Sequence, residues 1–205
     1  MSAIDSEVLA AIFMAIKDHK YINVSSINNS ASQKLMLLPL KVYISAQNGR
    51  HSLLAYDLQS NDIKSLLIHN LADARIQNKV AEDFAYWRDK LNSTEKYMWG
   101  VSSKWNSGAL EHLEFDICVN KNEMDIVNRL IRERRNGEVI KLDDQHYRYS
   151  VDVYDARELS PWVRTFISYI CRFDTNNQAA LTHFKNDLKQ LFYTYDVLGG
   201  KRGNI

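Results

Sequence analysis

The sequence predicts an α+β protein in two parts: a helix leading into a small β-barrel, then a ferredoxin-like domain with the order βαββαβα. Three observations carry this. Turn signals at Asn48-Gly49 and at Ser60-Asn61-Asp62 bracket the apolar runs His51–Asp57 and Ile63–Leu71, which makes two consecutive hairpins. Asn-Gly is the strongest two-residue hairpin signal, because both residues tolerate the positive φ of a type I′ turn. Leu113, Phe115, Ile117 and Val119 alternate with His112, Glu114, Asp116 and Cys118, the period-two pattern of a strand with one buried face. Directly after it, Met124, Val127, Leu130 and Ile131 share one face at helical spacing.

In the first part, Ile4, Val8, Leu9, Ile12 and Ile16 make residues 3–17 an amphipathic helix, with Asp5 and Glu7 near its positive end. Residues 20–26, 35–46, 51–57, 63–69 and 73–77 read as strands, rich in Ile, Val, Leu and Tyr and broken by Asn, Ser, Gly and Asp. Five short strands suggest a small barrel over residues 1–78. Residues 79–108 carry mixed charge and several turn-prone patches and read as a linker with a short helix at 83–91. Its Trp87, Trp99 and Trp105 are expected to be partly buried, since a free linker has no reason to carry large apolar surface.

The second part is a ferredoxin-like domain over residues 109–196. Asn122 is expected to cap its first helix with Asp125 three residues on, Arg132, Arg134 and Arg135 suit the negative C-terminal end, and Gly137 ends it. Glu138–Leu142 and His146–Tyr154 form a hairpin across Asp143-Asp144-Gln145, with Tyr147, Tyr149, Val151 and Val153 on one face. Ser160 reads as the cap of a second helix with Pro161 as its first residue. A short strand at Cys171–Phe173 and a helix from Asn177 to Tyr195, with Leu181, Phe184, Leu188, Leu191 and Tyr195 inward, complete the order. Residues 197–205 read as a disordered tail.

Lys and Arg number 26 against 25 Asp and Glu, so whole-chain charge argues neither for nor against a polyanionic partner, and any basic site must be local. There is no apolar run of the ~20 residues a membrane span needs and no signal peptide, which makes the cytoplasm the default. Cys118 and Cys171 read as buried small apolar residues; a redox pair on neighbouring strands is the sharper alternative. Phosphate-cradling loops, zincin helices and nucleophile elbows all lack their signatures, and the six histidines fall in no ligand-like spacing. The expectation is a non-enzyme with no cofactor and no metal site. Arg129, Arg132, Arg134 and Arg135 form the densest basic cluster. It reads as a solvated helix face, or, if Arg148 and Lys141 of the adjacent hairpin point the same way, as a nucleic-acid-binding surface of Arg129, Arg132, Arg135 and Arg148.

The run His51-Ser52-Leu53-Leu54-Ala55-Tyr56-Asp57, its turn and the strand after it resemble the WYL domain of bacterial transcriptional regulators, where a Trp-Tyr-Leu strand runs into an Ala-Tyr-Asp turn and an Arg-Ile strand. Met98-Trp99-Gly100-Val101-Ser102 is similar to the aromatic-glycine segment before the first strand of the C-terminal extension called WCX, and Trp162–Ile170 to its second helix. The resemblance covers nearly the whole chain and implies an Sm-like (SH3-like) barrel followed by the ferredoxin-like WCX domain. Its Trp and Tyr positions hold His51 and Ser52, Leu53 is kept, and Asn70-Leu71 stands for Arg-Ile. The first-strand Tyr position holds Ser25, the Arg position Lys34, and Lys64 lies where a basic residue is common.

The resemblance implies a ligand-binding pocket of Ser25, Lys34, His51, Ser52, Lys64 and Asn70. In the family, single-stranded nucleic acid or a nucleotide is the leading effector. Loss of the Arg and both aromatics removes fixed guanidinium donors and stacking surfaces from that pocket. The expected function is therefore the sensing region of a WYL-type regulator, a homodimer, with the usual winged helix-turn-helix absent from this chain. The alternative is a protein-interaction or dimerisation module with a degenerate pocket.

Overall fold

In the computed structural model, which describes residues 5–26, 34–44, 49–102 and 109–194, two antiparallel sheets and five helices form two compact units that divide after Gly108. Helix α1 (Ser6–Lys17) is opened by Asp5, whose side chain accepts from the Glu7 N–H at 2.8 Å. Strands β1 (Lys20–Ser26), β2 (Leu35–Ile44), β3 (His51–Asp57), β4 (Asp62–Leu67) and β5 (Leu71–Val80) follow. They build one sheet in the order β4-β3-β2-β1-β5. Gly49 enters β3 at φ +65°, while Asn48 and the end of the predicted 35–46 strand lie outside the described residues. Asn61 takes φ +52° in the β3–β4 turn and accepts the Tyr56 hydroxyl hydrogen bond at 2.7 Å.

The predicted strand 63–69 stops at Leu67. Ile68–Asn70 instead make a 3₁₀ turn that carries the chain from edge strand β4 to the other edge, β5.

Alternation along the strands gives this sheet two apolar faces. Ile22, Val24, Leu37, Leu53 and Ala55 pack with Val8, Ile12 and Ala15 of α1. The intervening residues Tyr21, Leu38, Leu54 and Tyr56 face the other way, toward α2 (Phe84–Glu95). Trp87 stacks on Tyr56 with ring centroids 3.7 Å apart and donates its indole N–H to Asp83 at 2.8 Å. Phe84 stacks on His19 at 4.0 Å, and Lys41 reaches Glu95 at 2.5 Å. The stretch read as a linker thus contributes a helix that closes the first unit, and Trp87 and Trp99 are buried; Trp105 lies outside the described residues.

The second unit contains β6 (Glu111–Cys118), α3 (Met124–Glu133), β7 (Glu138–Lys141), β8 (His146–Val153), α4 (Ser160–Val163) flanked by the 3₁₀ turns Ala156–Leu159 and Arg164–Phe166, β9 (Ile170–Thr175) and α5 (Gln178–Thr194). Its sheet order is β7-β8-β6-β9. Leu113, Phe115, Ile117, Tyr147, Tyr149, Val151 and Val153 face the helices. Phe115 and Tyr149 meet Trp162 and Phe166 in an aromatic cluster with centroids 5.0–6.3 Å apart. Asn177 caps α5 by accepting from Ala180 N–H at 2.9 Å. Ala180 and Phe184 are its buried residues; Leu181, Leu188 and Leu191 are half-buried, and Tyr195 and the tail lie outside the described residues.

Several local expectations are corrected. Asn122 does not cap α3. Glu123 holds that position, and its carboxylate accepts from the backbone and side-chain amides of Asn120 at 3.0 and 2.8 Å. Gly137 does not terminate the helix, which ends at Glu133 with Arg135 taking the left-handed turn at φ +49°. Gly137 is required by the Tyr149 ring, which occupies the place of any side chain there. Ser160 does not open the helical run either. Asp155 accepts from Arg157 N–H at 3.0 Å and starts it before the Pro161 turn. Cys118 and Cys171 are exposed rather than buried. Cys118 projects from the side of β6 opposite the core, and Cys171 is the extra residue between the pairs Ile117/Ile170 and Asp116/Arg172.

Candidate functional site

On β1, Asn23 and Ser25 alternate with the buried Ile22 and Val24, so they point away from the α1 core. On β5, Asp73, Arg75 and Gln77 do the same, because Asn23 pairs with Arg75 and Ser25 with Asp73. With Val24 and Lys34 these side chains line an open groove of about 270 Å³. Arg75 donates to Asp73 at 2.7 Å and the Gln77 amide donates to the Arg75 carbonyl oxygen at 3.1 Å. The groove holds two cations, one carboxylate and three neutral hydrogen-bonding side chains. That set suits a polar ligand with anionic groups, and among the described lining residues none offers an aromatic face for stacking.

The structure brings together two of the six residues expected to form the pocket, Ser25 and Lys34. Lys64 is committed elsewhere, as the ion-pair partner of Asp57. Asp57 is fully buried and also accepts from Gln59 N–H at 3.0 Å and the Ser60 hydroxyl at 2.9 Å. Burial pushes its carboxyl upward, but these donors outweigh burial and hold it below the usual carboxylate range. Ser52 is buried, His51 opens β3 opposite Ile44 with its Nδ1 enclosed and unpartnered, and Asn70 closes the 3₁₀ turn. None of these four lines the groove.

The arginines are likewise divided. Arg129, Arg132 and Arg135 lie on α3 or just past it, on the side where the Tyr149 hydroxyl donates to the Arg134 carbonyl oxygen. Arg129 is held by Glu133 at 3.2 Å and Thr165 at 2.6 Å and lies 4.6 Å from the Phe166 ring centre. Arg148 alternates with Tyr147 and Tyr149, so it projects from the opposite face of the sheet. There it grips Asp116 with two bonds of 2.7 and 2.9 Å. That pairing lowers the Asp116 pKa and raises that of Arg148. The condition that would join Arg148 to the α3 cluster is not met.

Its neighbours on that face are paired too: Glu114 forms an ion pair with Arg172 at 2.5 Å, and His112 Nδ1 lies within hydrogen-bond distance of Asp152 at 2.8 Å. Among the described residues, no group of three His, Cys, Asp or Glu side chains is placed to hold a metal ion, and no helix is long and apolar enough to cross a membrane.

Sequence reasoning missed Asn23, Asp73, Arg75 and Gln77. The signal was present, since residues 73, 75 and 77 alternate along a predicted strand, but which strand would lie beside them was not.

No family model and no curated protein matches this chain. Among solved structures, proteasome accessory factor B/C (PafBC) of Arthrobacter aurescens is similar over 95% of this chain and 29% of its own, at 12% identity and a TM-score of 0.40. A structure described as a CRISPR Cas-related protein is similar over 93% of this chain and 51% of its own, at 10% identity and a TM-score of 0.55. The chain thus spans less than a third of the first and about half of the second, and the second likeness is one of fold.

Proposed function

We propose that this chain is the ligand-sensing region of a WYL-type transcriptional regulator, and that its effector, a single-stranded nucleic acid or a nucleotide, binds in the β1–β5 groove. On this reading the first unit is an Sm-like barrel and the second a ferredoxin-like WCX domain. A leading helix with the strand order β4-β3-β2-β1-β5 suits the former. The order β7-β8-β6-β9, in which the first and third strands of the unit are central, suits the latter.

The observation that carries the proposal is the placement of Ser25 and Lys34, two positions the family resemblance singles out, in one groove with Arg75, Asn23 and Gln77. Lys34 and Arg75 would meet phosphate oxygens, and Asn23, Ser25 and Gln77 would hydrogen-bond sugar or base edges. Arg132, which lies 3.5 Å from Glu133, and Arg135 of the second unit are further candidates for phosphate contact, and Arg148 is held by two bonds to Asp116. The chain binds on this reading and performs no chemistry.

Binding of fluorescent single-stranded DNA and RNA oligonucleotides at two salt concentrations tests the proposal, beside Lys34→Ala/Arg75→Ala and Arg132→Ala/Arg135→Ala variants. Salt-sensitive binding lost in the first variant supports the groove. Binding lost only in the second moves the site to α3. No binding at low salt favours the alternative module with a degenerate pocket, a reading that the capture of Lys64 by Asp57 also supports.

A further inference from the structure

Helix α1 buries one side only. Val8, Ile12 and Ala15 pack on the sheet, while Glu7, Ala10, Phe13, Met14 and Lys17 are all exposed, Phe13 at 49% and Met14 at 55%. Residues 7, 10, 14 and 17 follow one another at spacings of three and four, so they form a single stripe along the outer face, with Phe13 beside it. The stripe places an acid at one end, a base at the other, and small and large apolar residues between them.

We infer that this stripe is a self-association surface whose occupant is α1 of a second copy of the chain, packed antiparallel about a two-fold axis level with residue 12. In that register Glu7 lies opposite the partner's Lys17, and Ala10 lies opposite the partner's Met14. Symmetry repeats both contacts. The long Met14 side chain fills the space that Ala10 leaves, as a ridge enters a groove, and the two helix dipoles oppose. A parallel arrangement instead sets Glu7 against Glu7 and Lys17 against Lys17, so charge selects the antiparallel one. Glu7 and Lys17 are both exposed, at the two ends of the stripe. One crossing of two 12-residue helices is a small interface, so the dimer is weak and depends on concentration.

Sedimentation velocity over about 10 μM to about 1 mM tests this with the whole chain. The wild type is expected to self-associate. Lys17→Glu turns both ion pairs into Glu–Glu pairs, and Glu7→Lys turns both into Lys–Lys pairs; each is expected to weaken the dimer about tenfold. An equimolar mixture of the two variants restores opposite charge at both contacts and is expected to associate at least as well as the wild type. Both substitutions are exposed, and unchanged circular dichroism shows that folding is intact. A wild type that stays monomeric throughout, single variants that associate like the wild type, or a mixture that fails to recover would each overturn the inference.

Discussion

Gly137→Ala is the sharpest stability test, because the place its methyl group would take is filled by one identified ring. A Cβ at position 137 falls on the Cε2, Cζ and hydroxyl atoms of Tyr149, more than about 1 Å short of ordinary carbon–carbon contact. That ring cannot simply swing aside. Tyr149 is fully buried, lies 5.2 Å from Phe115 and 5.0 Å from Trp162 between ring centres, and donates its hydroxyl to the Arg134 carbonyl oxygen at 3.2 Å.

Overpacking of a filled core costs about 2–3 kcal/mol. Against it, alanine restricts the unfolded chain and returns about 0.5–1 kcal/mol. The net is about 2 kcal/mol, or about 8–16 °C in the Tm of a unit of this size. Hydrogen exchange resolved by peptide should find the loss in residues 109–194 and leave residues 5–102 unchanged. Adding Tyr149→Leu removes the ring, so the double variant should cost clearly less than the sum of the singles. A Tm within about 1 °C of wild type, or strict additivity in the double variant, would refute the close approach of Gly137 to Tyr149.

Three further outcomes are expected. Asp57→Asn should destabilise the first unit by about 2–3 kcal/mol at neutral pH, since a buried carboxylate loses its charge before three donors. The Asp57 pKa is depressed on folding, so its stabilisation is complete above its unfolded pKa and disappears as the pH falls through the folded one. Denaturation curves of wild type and variant should therefore converge below about pH 4. Trp87→Ala should cost about 3–5 kcal/mol in the first unit alone, read by hydrogen exchange, because it removes the stack on Tyr56 and the bond to Asp83. If single-stranded nucleic acid binds the groove, Lys34→Ala/Arg75→Ala should reduce the slope of log K against log salt by about 1.4; an unchanged slope would place phosphate contact elsewhere.

Local periodicity was enough to read most of the elements. Leu113 to Val119 declares a one-faced strand, Met124 to Ile131 a helix, and the two hairpin turns a meander, because strand and helix repeats are set by residues two to four positions apart. Composition alone argued for a folded protein whose basic sites are local. The ends of elements were less legible. Asp155 rather than Ser160, and Glu123 rather than Asn122, occupy the capping positions, since several polar residues compete there and packing chooses among them.

The tertiary structure alone decided which residues meet across the chain. Ser25 and Asp73 are neighbours because β5 returns to pair with β1 after three successive antiparallel strand pairings and a 3₁₀ turn. Lys64 is withdrawn from the expected pocket because Asp57 reaches it across the β3–β4 turn. Arg148 is turned away from α3 because its neighbours Tyr147 and Tyr149 take the core face. Residues 79–102 became part of a unit rather than a linker because Trp87 found Tyr56. Each of these depends on strand order and register, which long-range burial fixes and which no local repeat encodes.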